Sequence, residues 1–223
     1  MTDESLYAPS LVEMATRRLR EEILSGRLMP GERLIEEQIR RRYSISRAPL
    51  REALRLLAQQ GLVEHLPRRG SRVTEWSDTD ILELFAIRSV LEQHAIISAF
   101  PLSSNIREQR LDLVRDRLEQ MRIAGLAEDQ LGKDDAHRAF HAAIVAMAGN
   151  RQLDLAIEPV LIKLQRPMAV NLRREALLLG PEEGLRRHER LLSAVESNDP
   201  KVILLALEQH GSRRYLEHEA SAG

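Results

Sequence analysis

Residues 44–73 read SISRAPLREALRLLAQQGLVEHLPRRGSRV, a stretch in which a helical period gives way to strand-forming residues and turns. Ser46 can cap a helix, and Pro49 fits its first turn, where backbone amides have no intrahelical acceptor. Leu50, Ala53, Leu54 and Leu57 fall at i, i+3, i+4 and i+7, a stripe for packing, whereas Arg47, Arg51 and Arg55 recur every four residues along a different face. Upstream, Ile35 to Tyr43 suits a short helix, and Ser44-Ile45-Ser46 has the length of a tight turn between two helices. Downstream, Gly61 stops the helix. Leu62 to Leu66 and Ser71 to Glu75 then read as short strands joined by Pro67-Arg68-Arg69-Gly70.

A row of arginines on a helix is most often a solvated face, so its surroundings decide the reading. Between Arg40 and Arg72 there are nine arginines against Glu52 and Glu64, or +7, in a chain whose net charge is −1. A concentrated cationic segment in a nearly neutral chain suits a phosphate-binding surface confined to one module. Helix, turn, arginine-faced helix and two-stranded wing together predict a winged helix-turn-helix that docks on double-stranded DNA.

The remainder is bounded by composition. The 223 residues allow two modest domains, and 43% apolar with 30% charged residues describes a globular chain. Without cysteine there is no disulfide, thiolate ligand or cysteine nucleophile. No apolar run approaches a membrane span and no signal pattern opens the chain, so a cytoplasmic protein without membrane contact is expected. The first eight residues and Glu219 to Gly223 are expected to fray. A boundary falls near Trp76-Ser77-Asp78, giving a DNA-binding domain over 1–76 and an all-α domain over 77–223 with net charge −4. In the second domain, helices are expected from Asp78 to about Phe100, Ile106 to Ala124, Leu131 to Ala148, Arg151 to Leu179 (bent near Pro159 and Pro167), Pro181 to Glu196 and Pro200 to Glu217. The fold class is thus mainly α, a small β-wing domain followed by a six-helix bundle.

Bundles build ligand sites from facing helices, which directs attention to His94, His137, His141, His188, His210 and His218. His137 and His141 lie one turn apart on one face, a spacing by which two imidazoles can hold one metal, although such pairs are more often ordinary side chains. Arg88 and Glu92, at i and i+4, read on their own as a surface ion pair. Gly149-Asn150 reads as a helix C-cap.

Pro30-Gly31-Glu32-Arg33-Leu34, Ser46-Arg47-x-Pro49-Leu50-Arg51-Glu52-Ala53-Leu54, Gly61-Leu62-Val63 and Gly70 stand in the order that resembles the N-terminal domain of GntR-family transcription regulators, over roughly residues 10–76. The resemblance implies that Arg47 and Arg51 reach guanine edges, that Arg33 contacts the DNA backbone and that the Gly70 wing tip enters the minor groove. Arg55, Arg68 and Arg69 complete the expected DNA-binding set. Arg40 departs from the small apolar residue common at its position. Phe85-x-x-Arg88-x-x-Leu91-Glu92, Phe140-His141, Gly149-Asn150, His188-x-x-Leu191-Leu192-x-Ala194-Val195 and His210 resemble the FCD effector domain of the FadR-type branch, with six helices pointing to its VanR-like subgroup. In metal-binding members a carboxylate and three histidines hold zinc, nickel or a similar ion, which anchors an organic-acid effector. His141, His188 and His210 match; His137 stands where the carboxylate is expected. His137 itself, Asp134 from a turn earlier, or no metal at all are the open alternatives. The same resemblance turns Arg88, and Asn150 with it, toward an effector cavity.

The sequence therefore predicts a homodimeric, ligand-responsive DNA-binding regulator, a repressor of a palindromic operator released by a small carboxylate. Its rivals are a constitutive DNA-binding protein with a structural or absent metal, and a metalloenzyme. The enzyme reading is weak because His137-x-x-x-His141 lacks the glutamate of an HExxH helix.

Overall fold

The computed structural model describes residues 9–210. The chain divides into two compact units, Met1–Trp76 and Ser77–Gly223.

The first unit opens with α1 (Leu11–Leu24), held by a reciprocal cap in which Ser10 Oγ accepts from the Glu13 amide and Glu13 accepts from the Ser10 amide. After β1 (Arg33–Leu34) come α2 (Glu36–Tyr43) and α3 (Arg47–Gln59), then β2 (Val63–Leu66) and β3 (Gly70–Val73). Ser44, at φ 54°, turns the chain between α2 and α3. Ser46 occupies the N-cap position of α3, but its side chain makes no capping bond. At the other end, Gly61 sits at φ 74° while its amide bonds Ala58 O and that of Leu62 bonds Leu57 O. This is a Schellman closure, which requires the left-handed conformation that glycine adopts without strain.

The strands form one antiparallel sheet in the order β1-β3-β2, with Val63 opposite Val73 and Arg33 opposite Arg72. The predicted wing is present, with β3 starting one residue earlier and ending two residues sooner than expected; β1 was not anticipated. The whole stripe Leu50, Ala53, Leu54 and Leu57 is buried, packed with Leu19, Ile23, Leu34, Ile39 and Val73 into a single core. At about 25 cal/mol per Å² of apolar surface, that burial is what fixes α3 on the unit and leaves its arginine face outside.

In the second unit the described residues form α4 (Asp78–Ala99), α5 (Ser104–Leu126), α6 (Gln130–Ala146), α7 (Arg151–Leu179), α8 (Glu183–Glu196) and α9 (Pro200–His210). Ser77 and Asp80 cap α4 reciprocally. The helix α7 runs through both Pro159 and Pro167 as one element. Pro181 precedes α8 instead of opening it, whereas Pro200 is the first residue of α9. The expected continuation to Glu217, His218 and the expected frayed ends lie outside the described residues. Phe140 and His141 near the middle of α6 are fully buried, and the core around them draws Ile96, Leu111, Val114, Leu191, Val195 and Ile203 from the surrounding helices. This placement of α6 at the centre carries two histidines into the interior.

Candidate functional site

In the first unit the arginine row of α3 is exposed, as the amphipathic pattern requires. Arg51 Nε donates to Glu36 Oε2 at 3.1 Å, and Arg55 makes two bonds to Glu52, which hold the Glu52 carboxyl below its usual range. Exposed pairs of this kind are worth about 0–1 kcal/mol, so phosphate or guanine can displace them readily. Arg33, Arg47, Arg68 and Arg69 are exposed and make no ion pair among the described residues. Arg40, the residue that departs from the family pattern, is half-buried and bonded to Glu37 at 2.6 Å. Gly70, at φ 85°, has open space where a side chain would stand, so the wing tip presents bare backbone. A β-carbon there would be strained by the backbone angle, not by crowding.

In the second unit, α6 supplies His137 and His141 one turn apart, α8 supplies His188 and α9 carries His210. All four rings are buried. One donor atom from each of His137, His141 and His188 lies within 4.8 Å of the others, and the His210 ring centroid stands 4.4 Å from His188 and 5.1 Å from His141. Among the described residues, His137 Nε2, His188 Nε2 and His210 Nδ1 are buried without a hydrogen-bond partner. An unmet buried polar atom costs about 1–3 kcal/mol, and two of these three belong to the His137, His141 and His188 group whose donor atoms lie close enough together to share one cation. The residues present therefore fit a divalent transition metal. His188 Nδ1 faces Gly184 O at 2.5 Å, so it carries the proton and leaves Nε2 as a lone pair. Asp134 is engaged elsewhere: Arg173 donates to it at 3.0 Å, and it is His137 that stands with the other imidazoles.

Burial and the neighbouring cations Arg88 and Arg187 keep the cluster neutral. The pKa of His188 is lowered to about 3 chiefly by burial, and burial likewise holds His137, His141 and His210 well below their usual range. An unfolded chain protonates these rings near pH 6.5 and so binds more protons than the folded one below that value. Stability contributed by the neutral cluster is complete above about pH 6.5 and is lost as pH falls toward the His188 value of about 3. Urea midpoints of chelator-treated protein are expected to be level above about pH 7 and to decline steadily below it. A midpoint that holds or rises on acidification would contradict a neutral buried cluster.

Arg88 is buried on α4, a correction to its reading as a surface pair with Glu92. Both residues lie on the stripe Leu84, Phe85, Arg88, Glu92, Ala95 and Ile96 that faces the interior. The Nη2 of Arg88 lies 2.6 Å and 2.9 Å from the two ring nitrogens of His141, Nε bonds Glu92 at 2.9 Å, and Nη1 approaches Met168 Sδ. A guanidinium thus stands beside the imidazoles, placed to meet an anion bound there. Asn150 is not part of this arrangement. It is exposed at the N-cap of α7, where its side chain accepts from the Gln152 amide at 3.0 Å, so its place in the effector set is withdrawn. Sequence reasoning missed Glu92 and Gly184 as partners of the histidines. Glu92 was recoverable from its place on the buried stripe, whereas a backbone carbonyl leaves no signal.

A winged helix-turn-helix and a helical domain with a buried His-Arg cluster define a regulator that reads DNA and senses a ligand. Residues 11–73 match the family described as bacterial regulatory proteins, gntR family, and residues 83–213 match the FCD domain. The chain belongs to the GntR family, in its FCD-containing branch, and is a ligand-responsive DNA-binding transcription regulator, not an enzyme. It is 31% identical over 146 residues to the uncharacterized HTH-type transcriptional regulator YdhC of Bacillus subtilis, a match spanning 64% of this chain and 63% of that protein. It is 29% identical to the HTH-type transcriptional repressor GlaR of Escherichia coli, covering 87% of this chain and 89% of that one. A GntR structure from Rhodococcus shares the fold with a TM-score of 0.72 at 23% identity, over 96% of this chain and all of the other. Among the described residues no helix is long and apolar enough to cross a membrane.

Proposed function

We propose that this regulator is a dimeric repressor whose second domain holds zinc or nickel on His137, His141, His188 and His210, and that a small organic acid bound beside Arg88 releases it from a palindromic operator. The observation that carries this reading is the set of buried imidazole nitrogens without partners gathered next to a buried guanidinium. Four neutral imidazoles leave the full charge of a divalent ion uncompensated, favour borderline metals over calcium or magnesium, and give a carboxylate a Lewis-acid anchor. Arg88 adds a second, directional contact for the same anion.

The repressor sign follows the name of the GlaR relative. On the DNA side, Arg47 and Arg51 suit guanine edges, while Arg33, Arg55, Arg68 and Arg69 supply charge to the backbone around the bare Gly70 tip. Dimerisation is supported by the need for two recognition helices on two half-sites, and by Ile87, Val90 and Ile97, which line an exposed apolar face of α4 that suits a second copy. Effector binding acts by favouring one separation of the reading heads over another.

The test is a titration of metal-loaded protein on an operator selected from random DNA, with a panel of small carboxylic acids. At least one acid is expected to weaken operator binding tenfold or more, and chelation to abolish its effect. A broad panel without influence on the metal-loaded protein would leave a constitutive DNA-binding protein in its place.

A further inference from the structure

Glu92 is a buried carboxylate to which the proposed function gives no task. It is 6% exposed, and its Oε1 stands 2.9 Å from Arg88 Nε and 2.9 Å from His141 Nδ1. A buried Arg-Glu pair can often be replaced by packed apolar side chains without loss of stability, so pairing with Arg88 alone is a weak reason for a carboxylate here. The second contact is more informative. Burial pushes the Glu92 carboxyl up and the Arg88 guanidinium pulls it down; as the carboxylate partner of Arg88 it only accepts, so at 2.9 Å the neutral His141 ring donates from Nδ1 and keeps its lone pair on Nε2, where Arg88 Nη2 stands 2.9 Å away. His188 is likewise held through Nδ1, on Gly184 O, and its Nε2, unlike that of His141, is unpartnered. Two rings from different helices thus have their outer nitrogen fixed by an acceptor outside the cluster.

We infer that Glu92 is a positioning residue of the metal centre, fixing the His141 tautomer and aiming its Nε2 at the point shared with His137 and His188, while its second bond keeps Arg88 beside the bound anion. This inference rests on the metal reading above. Carboxylate support of a ligating imidazole orients the ring and raises its basicity, and loss of such a partner typically weakens metal binding about 10–100-fold.

Zinc affinity would be measured by competition with a fluorescent chelator for the wild-type protein, Glu92→Gln, and Glu92→Gln combined with Arg88→Gln. Glu92→Gln is expected to bind zinc about 10–100-fold more weakly than wild type, and the double variant to stay weak. Equal affinity in Glu92→Gln, or recovery to wild-type affinity in the double variant, overturns the inference, because the carboxylate would then be only the counter-ion of Arg88. Long-range proton–nitrogen spectra of zinc-loaded wild type provide a check that needs no variant. They should show His141 protonated at Nδ1 and coordinated through Nε2; coordination through Nδ1 overturns the assignment. Wild-type protein that takes up no zinc removes the metal reading and this inference together, whereas zinc uptake with an indifferent Glu92→Gln removes the inference alone.

Discussion

Replacing His188 with alanine is expected to remove metal from the second domain and with it every response to effector, while leaving the DNA affinity of the metal-free protein within about twofold of wild type. His188 is fully buried and lies within ring contact of His137, His141 and His210, so its loss leaves a hole at the centre of the donor set. Its tautomer is fixed by Gly184 O, which makes Nε2 a pre-oriented ligand that solvent cannot easily replace. Removing an outer partner of a ligand weakens metal binding about 10–100-fold, and removing a ligand should exceed that range. Metal content per chain should therefore drop to background after gel filtration. Circular dichroism controls for the fold, since the second domain keeps its aliphatic core around Phe140. A folded His188→Ala protein that retained metal and still answered to effector would exclude His188 as a ligand.

Arg51→Ala is expected to have the other large effect, on the opposite module. Arg51 lies on the exposed face of α3, and its surface pair with Glu36 is worth at most about 1 kcal/mol. A bidentate guanine contact is worth about 1–3 kcal/mol of discrimination, so two half-sites lose about 2 kcal/mol or more, roughly thirtyfold in operator affinity. Fluorescence anisotropy on operator and on scrambled duplex separates the contributions: the operator should lose most of its advantage while scrambled DNA changes little. Equal losses on both duplexes would make Arg51 a phosphate contact. Metal content should be unchanged, because His137, His141 and His188 come entirely from the second unit.

The two modules differed in how far they could be read from sequence, for physical reasons. In the first, local period and composition were enough. Leu50, Ala53, Leu54 and Leu57 mark the buried side of α3, Gly61 closes it, and the arginines are left outside. The strand β1 escaped notice because Arg33 and Leu34 take their extended form from pairing with Arg72 and Ser71, far along the chain. In the second, α4 carries apolar residues on both sides, with Ile96 inside and Ile87, Val90 and Ile97 outside, so period alone did not show that Arg88 and Glu92 face inward. The pair His137 and His141 was legible because one helix carries both. That His188 and His210 join them depends on how α8 and α9 pack on α6, and only family resemblance supplied that information. Asn150 was misplaced by the same resemblance, since its side chain is already committed to the α7 cap.

The most direct test of a metal-anchored sensor is the metal content of untagged, freshly purified protein by inductively coupled plasma mass spectrometry, with a chelator-treated and reloaded sample beside it. Close to one zinc or nickel per chain, lost on chelation and restored on reloading, is the predicted result. A protein that arrives empty and stays empty in excess zinc and nickel would contradict it, leaving the buried imidazoles without their proposed ion and Arg88 as the remaining anchor for an effector.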